Sequence, residues 1–291
     1  MEKKNGVWIF IFLSPAILLF LLVYAASVFI MFGSSFADWR LMSDIKSAGF
    51  NNYIELFAKD GTFLKALTNT AIWVVLQSTV HIVIGVTVAL ILAKKEFYWK
   101  FARTAYMLPN IVSGAAMGML YLCIFNPSFG LINEIVKLFG AGDFAHNWFY
   151  DYSTAFVTVT MTWLPFAAVV TILVLAEMTA ISDSILEAAR IDGAGEFETN
   201  IFIILPMLRN ILGTCVIVAA TSMLKNFDII FMTTNGGPGT ETLNLPLYLY
   251  KTAMIENNYG YANTIGTFTT ILGIVIIITI NKVFRMGRSD I

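Results

Sequence analysis

The sequence predicts an all-α integral membrane protein that crosses the bilayer with six transmembrane helices. Hydrophobic residues make up 58% of its 291 residues, charged residues make up only 13%, and the mean hydropathy is +0.76. Soluble globular domains carry about 25% charged residues, so this composition excludes a soluble globular protein. Six apolar stretches also reach the roughly 20 residues that a helix needs to cross a hydrocarbon core of about 30 Å.

The predicted spans lie at residues 7–32, 67–93, 104–125, 154–176, 211–233 and 263–283. Lys3 and Lys4 precede the first span, as in a secretory signal, but its apolar run is too long for the core of a signal peptide. We therefore expect an uncleaved first helix within one membrane domain over residues 1–291. Ordered loops with short helices are expected at 33–66, 126–153 and 234–262.

Basic residues predict the orientation of the chain, because Lys and Arg are retained on the cytoplasmic side of a membrane. With the N-terminus inside, the inside set outnumbers the outside set by 11 to 6. The inside set is Lys3, Lys4, Lys94, Lys95, Lys100, Arg103, Arg190, Arg209, Lys282, Arg285 and Arg288; the outside set is Arg40, Lys46, Lys59, Lys65, Lys137 and Lys251. Both termini and the loop between the fourth and fifth spans are therefore expected in the cytoplasm.

Charge and cysteine content exclude several classes of function. The net charge of −1 gives no electrostatic basis for binding nucleic acid. Cys123 and Cys215 both fall within apolar spans, which favours small buried hydrophobic side chains over a disulfide or a metal site. No cofactor or metal is expected in this chain.

The loop between the fourth and fifth spans, residues 178–209, is charged and carries its own helix signals. Residues 178–192 are helix formers with a start signal at Ser182 or Asp183, and Gly193 can end that helix in the left-handed conformation. A second short helical run then reaches Pro206. The pattern predicts a helix–turn–helix to which a partner protein can bind.

This loop resembles the EAA loop of the membrane-spanning subunits of bacterial ABC importers. The resemblance is carried by Glu187, Ala188, Ala189, Asp192, Gly193, Ala194, Ile204, Leu205 and Pro206. It implies the type I ABC importer permease fold, in which such a loop forms coupling helices that dock into a groove of the ATPase subunit. Glu196 and Glu198 depart from the basic residues common in that family, which leaves the identity of the ATPase open.

The exit of the fifth span resembles that of carbohydrate permeases of the maltose and glycerol-3-phosphate uptake type. The matching residues are Asn226, Phe227, Asp228 and the stretch 234–242, within matching positions from about Asn69 to Gly266. Gly236, Gly237 and Pro238 in that stretch predict a tight outer turn, since Gly tolerates positive φ and Pro fixes its own. The resemblance implies a carbohydrate substrate.

Polar residues in the fifth span form the candidate substrate path. An ionisable residue inside a membrane helix indicates a functional site unless it is paired or reaches the interface. Lys225 and Asp228 are three residues apart, so they are expected to be neighbours on one helix face. They would form an internal ion pair there, or line the cavity, or Lys225 would extend to the outer headgroups. Asp228 and Asn226 suit sugar hydroxyls, and Phe227 or Phe231 suits a sugar ring.

Other polar residues in the spans are Gln77, His81 and Asn110. Interhelical hydrogen bonds, each worth about 1 kcal/mol, are the expected role for this set. An intramembrane enzyme that uses Ser78 with His81 is an alternative from another class. The sequence contains no Gly-x-Ser-x-Gly or His-Glu-x-x-His motif to support it.

Together these features predict the permease subunit of an ATP-driven, binding-protein-dependent carbohydrate importer. No phosphate-binding Gly-x-x-x-x-Gly-Lys-Ser/Thr motif occurs, so ATP and Mg²⁺ are assigned to a partner. The resemblance implies as partners a second homologous permease, two ABC ATPase subunits and an extracytoplasmic solute-binding protein. The alternative substrates are glycerol phosphate, a polyamine or an amino acid, and Lys225 keeps an anionic solute open.

Overall fold

A computed structural model describes residues 2–93, 97–139 and 144–286. Lys94, Lys95 and Arg288, three of the basic residues predicted on the cytoplasmic side, lie outside these residues. The α-helices are α1 (Glu2–Phe20), α2 (Ala26–Ser34), α3 (Asn51–Ala58), α4 (Gly61–Ser78), α5 (Val80–Leu92), α6 (Phe97–Met107), α7 (Gly114–Ile124), α8 (Leu131–Leu138), α9 (Ala155–Met161), α10 (Ala168–Met178), α11 (Asp183–Ile191), α12 (Glu196–Glu198), α13 (Leu205–Met207), α14 (Arg209–Met223), α15 (Asp228–Thr233), α16 (Leu245–Tyr250) and α17 (Tyr259–Phe284). Leu21–Ala25, Thr199–Ile204 and Lys251–Ile255 are π-helical, and Leu108–Asn110 is a 3₁₀ turn.

The helices confirm the predicted all-α membrane fold. Four helical stretches in the described residues are long and apolar enough to cross a membrane: Trp8–Ser34, Gly61–Leu92, Arg209–Thr233 and Tyr259–Phe284. They match the first, second, fifth and sixth predicted spans. Two further helix pairs are bent, by 99° and by 81°, and bring the number of spans to six if each pair counts as one.

The third and fourth predicted spans are not continuous helices. Span 104–125 is interrupted at the 3₁₀ turn that contains Pro109, and α6 and α7 meet at 99°. Span 154–176 consists of α9 and α10 separated by residues 162–167, which include Pro165. Proline lacks the N–H that continues a helix and its ring clashes with the preceding turn, which explains both interruptions.

The chain divides into two compact units, and the single permease domain expected over residues 1–291 stays a prediction. The first unit comprises Met1–Phe63 and Tyr248–Ile271. Strands β1 (Ala37–Asp38) and β2 (Lys46–Ser47) pair antiparallel in it. Asp60 accepts hydrogen bonds from the Tyr248 hydroxyl and, at 2.7 Å, from the Tyr261 hydroxyl, which ties α16 and α17 to the start of α4.

The second unit comprises Leu64–Leu247 and Leu272–Ile291 and contains both candidate sites. Its apolar core joins α5, α10 and α14 through small and branched side chains such as Ala89, Val174 and Ala219. At Gly85 a Cβ atom would lie only 2.7 Å from Val170, so α5 and α10 approach closely because this glycine lacks a side chain. Close approach over small residues is typical of packing between membrane helices.

Candidate functional site

The loop over residues 178–209, here called the Glu187 segment, folds as the sequence predicts. Ser182 caps α11, and its Oγ accepts a hydrogen bond from the Ser184 N–H at 3.3 Å. Gly193 follows α11 with φ of +84°. The second helical run continues through α12, the π-helical turn and α13, which contains Pro206. The Gly195 N–H donates to Glu198 Oε2 at 2.9 Å. Glu198, one of the two acidic residues that differ from the family pattern, therefore stabilises the turn before α12.

Most predicted coupling residues lie on the surface of the Glu187 segment. Glu187, Ala188, Asp192, Gly193 and Pro206 are exposed, whereas Ala189 is buried. Large apolar side chains are exposed beside them: Ile191 is 86% exposed, and Phe197 and Phe202 are exposed by about three quarters, at 74% and 73%. Apolar surface of this kind in a short segment marks a contact with a partner or with lipid.

A cavity of about 300 Å³ lies between the helices that flank the Glu187 segment. Its wall includes Val170 of α10 and Ala219 of α14, and it extends to Gly114 of α7 and to the break between α9 and α10. Its polar lining residues are Gln77, His81, Asn110, Thr162, Trp163 and Ser222. Among the described lining residues there is no Asp, Glu, Lys or Arg. The wall is therefore apolar with uncharged polar groups at fixed positions, as is typical of sites for small neutral ligands.

His81 forms a hydrogen bond to the non-helical segment between α9 and α10 rather than to another helix, and Gln77 forms none within the described residues. His81 Nδ1 lies 2.9 Å from the carbonyl oxygen of Leu164, next to Trp163. The Oε1 atom of Gln77 and the Nε1 atom of Trp163 are buried and have no hydrogen-bond partner within the described part of the chain. Within the described residues His81 is hydrogen-bonded to this backbone carbonyl and not to Ser78, so the structure adds no support to the enzyme alternative.

The predicted substrate path at Lys225–Asp228 coincides with a break in the fifth span. Helix α14 ends at Met223 and α15 begins at Asp228, so the expectation that Lys225 and Asp228 share one helix face is wrong. No ion pair joins them in the residues that the structure describes. Both are exposed, whereas Asn226 and Phe227 are half-buried. The Asn226 carbonyl accepts from Asn244 Nδ2 at 2.5 Å, and the Phe227 ring stacks on Phe231 at 5.0 Å.

This break lies beside the cavity rather than within its wall. Ser222 and Ile229, on either side of the break, line the cavity. A Cβ atom on Gly114, another lining residue, would lie 3.0 Å from Asp228 Cβ and 3.2 Å from its Oδ2. The Asp228 carboxylate therefore packs against the wall of the cavity without appearing in its lining.

The predicted turn at Gly236, Gly237 and Pro238 is present. Gly236 has φ of +87°, and the Gly237–Pro238 peptide bond is cis. Buried Asn69 holds the following residues, because its Nδ2 donates to the carbonyls of Thr240, Glu241 and Leu243 at 3.2, 2.9 and 2.8 Å. The sequence identified the turn but not the asparagine that fastens it.

The comparisons with known proteins agree with this geometry. The chain matches the family model described as "Binding-protein-dependent transport system inner membrane component" over residues 82–286. It is 30% identical to the probable ABC transporter permease protein YurN of Bacillus subtilis, with 100% of both chains covered. It is also 29% identical to the diacetylchitobiose uptake system permease protein NgcF of Streptomyces coelicolor, over 93% of this chain and 82% of that protein.

Solved structures show the same fold. A bacterial ABC transporter involved in the import of the acidic polysaccharide alginate superposes with a TM-score of 0.84 at 21% identity, over 98% of this chain and 97% of that one. A bacterial alginate ABC transporter in complex with a pentasaccharide-bound periplasmic protein gives 0.85 at 19% identity, over 99% and 98%. The fold of the chain is thus that of an ABC importer permease.

Proposed function

Because the chain belongs to the family of binding-protein-dependent transport system inner membrane components, we propose that it is the permease subunit through which an ATP-driven importer moves a carbohydrate. One observation carries the proposal: the uncharged, partly polar cavity is lined in part by the two helices, α10 and α14, that the Glu187 segment connects. A binding site and a candidate docking site for an ATPase therefore share the same two helices.

The relatives support a carbohydrate as cargo. Their names refer to starch degradation products, diacetylchitobiose and galactooligosaccharides. A sugar presents hydroxyl groups that need donors and acceptors at fixed positions, and the cavity wall offers Gln77, Thr162 and Ser222 among apolar residues. An anionic solute such as glycerol phosphate would favour Lys or Arg in the wall. The described lining contains neither, so the alternative substrate has less support.

Coupling to ATP follows from the way in which the Glu187 segment is attached. Val169, Val170 and Leu173 of α10 line the cavity on one side, and Cys215, Ala219 and Ser222 of α14 line it on another. A partner that binds exposed Glu187, Ile191 and Phe197 and then moves displaces both walls together. The segment thus joins both sites through one continuous element, and this continuity supports the proposed coupling.

The family and the absence of a phosphate-binding motif from this sequence support the proposed partners. ATP and Mg²⁺ belong to two ATPase subunits that dock on the Glu187 segment, because this sequence has no phosphate-binding loop. A second, homologous permease completes the path, and an extracytoplasmic binding protein delivers the cargo. In this arrangement both termini and the Glu187 segment face the cytoplasm, as the basic residues predict.

ATP-dependent uptake by the importer, purified with its partners and reconstituted in proteoliposomes, tests the proposal. The probes are tritiated maltose, lactose, raffinose and N,N′-diacetylchitobiose, with glycerol 3-phosphate as the anionic comparison. We expect ATP-dependent accumulation of at least one neutral sugar and no accumulation of the anion. Accumulation of glycerol 3-phosphate alone would replace the carbohydrate assignment by the anionic one.

Gly193 and Gly195 provide a matched pair that tests coupling. Gly193 has φ of +84°, so Gly193→Ala strains the turn after α11, whereas Gly195 has φ of −70° and tolerates alanine. We expect Gly193→Ala to lower sugar uptake per ATP hydrolysed and Gly195→Ala to leave it unchanged. Equal ratios in both variants would contradict a coupling role for the turn.

A further inference from the structure

One part of the cavity wall carries polar atoms that the fold leaves without partners. Gln77 and Trp163 both line the cavity and are only 6% and 8% exposed. Gln77 Oε1, an acceptor, and Trp163 Nε1, a donor, have no hydrogen-bond partner among the residues described. Unpaired buried polar atoms are few in native folds, and each one calls for an explanation. Two of them in one cavity wall point to a ligand that supplies the missing bonds.

His81 adds a third group whose direction is fixed by the protein. Its Nδ1 atom lies 2.9 Å from the Leu164 carbonyl oxygen, which can only accept a hydrogen bond. The hydrogen of the neutral ring is therefore on Nδ1, and Nε2 is an acceptor. Leu164 follows Trp163 in the chain, so the same bond also fixes the backbone that carries the indole.

Trp163 is further held by a second tryptophan outside the cavity lining. The rings of Trp73 and Trp163 meet edge to face, with centroids 6.5 Å apart and an interplanar angle of 88°. Trp73 is itself fixed, because its Nε1 donates to Thr160 Oγ1 at 2.8 Å and its ring stacks on Phe156. The two tryptophans thus differ in their hydrogen bonding: Trp73 Nε1 has a protein partner, and Trp163 Nε1 has none among the described residues.

A sugar hydroxyl matches these three groups. A hydroxyl donates one hydrogen bond and accepts two, so hydroxyls can donate to Gln77 Oε1 or His81 Nε2 and accept from Trp163 Nε1. The described lining has no Asp, Glu, Lys or Arg to pair with a charged cargo. A volume of about 300 Å³ is at the small end of ligand sites, which suits a small sugar or one end of a longer one.

We propose that Gln77, His81 and Trp163 are the specificity-determining residues of this cavity and bind the hydroxyl groups of an uncharged carbohydrate. The assignment rests on the proposed carbohydrate transport. It adds which residues of this chain recognise the cargo and that the cargo is neutral. Gln77 Oε1 and Trp163 Nε1 have almost no accessible surface in this structure, so cargo reaches them only when the wall around them opens.

Two variants and one control test this assignment in the reconstituted importer with the four tritiated sugars. Trp163→Phe and Gln77→Met keep the approximate size of each side chain and remove the unpaired polar atom. Each is expected to lower the transport efficiency for the accepted sugar about tenfold, the value of one hydrogen bond. The thermal unfolding midpoint of each variant is expected to stay the same or rise, because a buried unpaired group is removed.

The control, Trp148→Phe, gives the opposite pattern. Trp148 does not line the cavity, and its Nε1 donates to Asn133 Oδ1 at 2.7 Å, so the substitution is expected to lower the unfolding midpoint and to leave transport efficiency per folded importer unchanged. Unchanged transport in both cavity variants would overturn the assignment of these residues but would leave the proposed carbohydrate transport intact. A lowered midpoint in both would also overturn it, because their polar atoms would then have protein partners. A wild-type importer that moves none of the four sugars would contradict the proposed function itself and the assignment with it.

Discussion

Substitution of Gly85 by alanine probes the packing that holds the cavity wall together. An added Cβ would lie 2.7 Å from both Cβ and Cγ1 of Val170 and 3.0 Å from Ala167 Cβ. Carbon atoms in contact prefer about 3.5–4.0 Å, so α5 and α10 must separate by nearly 1 Å. The bond from Thr171 Oγ1 to the Gly85 carbonyl, 3.0 Å long, crosses the same interface and lengthens with it.

Overpacking of this kind costs about 1–3 kcal/mol. For a chain of this size each kcal/mol corresponds to roughly 2–4 °C in the unfolding midpoint. Gly85→Ala is therefore expected to unfold several degrees below the wild type when thermal unfolding is followed in detergent. Gly33→Ala is the matched control, since its added Cβ meets nothing within 4 Å and alanine favours the helix. Equal midpoints in the two variants would refute the close approach of α5 and α10.

Three further predictions concern regions outside the cavity. Asn69→Ala leaves the carbonyls of Thr240, Glu241 and Leu243 without their donor. The free energy of unfolding, measured by thermal unfolding, should therefore fall by about 1–3 kcal/mol or more. Burial, followed by the hydrogen bond to Asp60, raises the pKa of Tyr248. The stabilisation by Tyr248 is therefore complete below a pH of about 10, the pKa of an unfolded tyrosine, and is lost as the pH rises above that value. Between about pH 9 and 12, the free energy of unfolding of Tyr248→Phe should therefore fall less steeply with pH than that of the wild type. The hydrogen bonds from Ser153 lower the pKa of Asp151. Ser153→Ala should therefore raise that pKa toward its ordinary value in an NMR titration, and an unchanged pKa would contradict the assigned cause.

The sequence predicted the elements whose signals are local. Ser182 and Gly193 bound α11 as expected, because capping and positive φ depend on one residue and its immediate neighbours. The first, second, fifth and sixth spans follow from apolar length alone. Pro109 and Pro165 are local signals for the interruptions in the third and fourth spans, although the length of each apolar run by itself predicts a continuous helix.

The cavity could not be predicted in the same way, because its wall is assembled from segments far apart in the chain. Trp163 is one of 6 tryptophans among 41 aromatic residues, counting 24 Phe and 11 Tyr, and nothing local separates it from Trp73. Gln77 gave a polar signal in the second span, but only the structure shows that its Oε1 lacks a partner. Lys225 and Asp228 were placed on one face by assuming a continuous helix, and the break after Met223 removes that relation.

The break at Asn226 and Phe227 is better understood from tertiary contacts than from propensity. The Asn226 carbonyl, which a continuing helix would use internally, accepts from Asn244 instead. Asn244 is fully buried and also accepts a bond from the Leu247 N–H at 3.1 Å. A residue 18 positions away thus stabilises the interruption, and no local pattern carries that information.

Purification of the tagged chain from its native membrane in mild detergent, with identification of bound proteins by mass spectrometry, tests the central claim most directly. We expect a second permease and an ABC ATPase to copurify, and Ile191→Cys, labelled with a maleimide that carries a benzophenone, to photo-cross-link to the ATPase, because Ile191 is 86% exposed in the Glu187 segment. A cysteine at Ile271, exposed on α17, is the control that should not cross-link. A chain that purifies without an ATPase, or one that cross-links equally from both positions, would contradict the account.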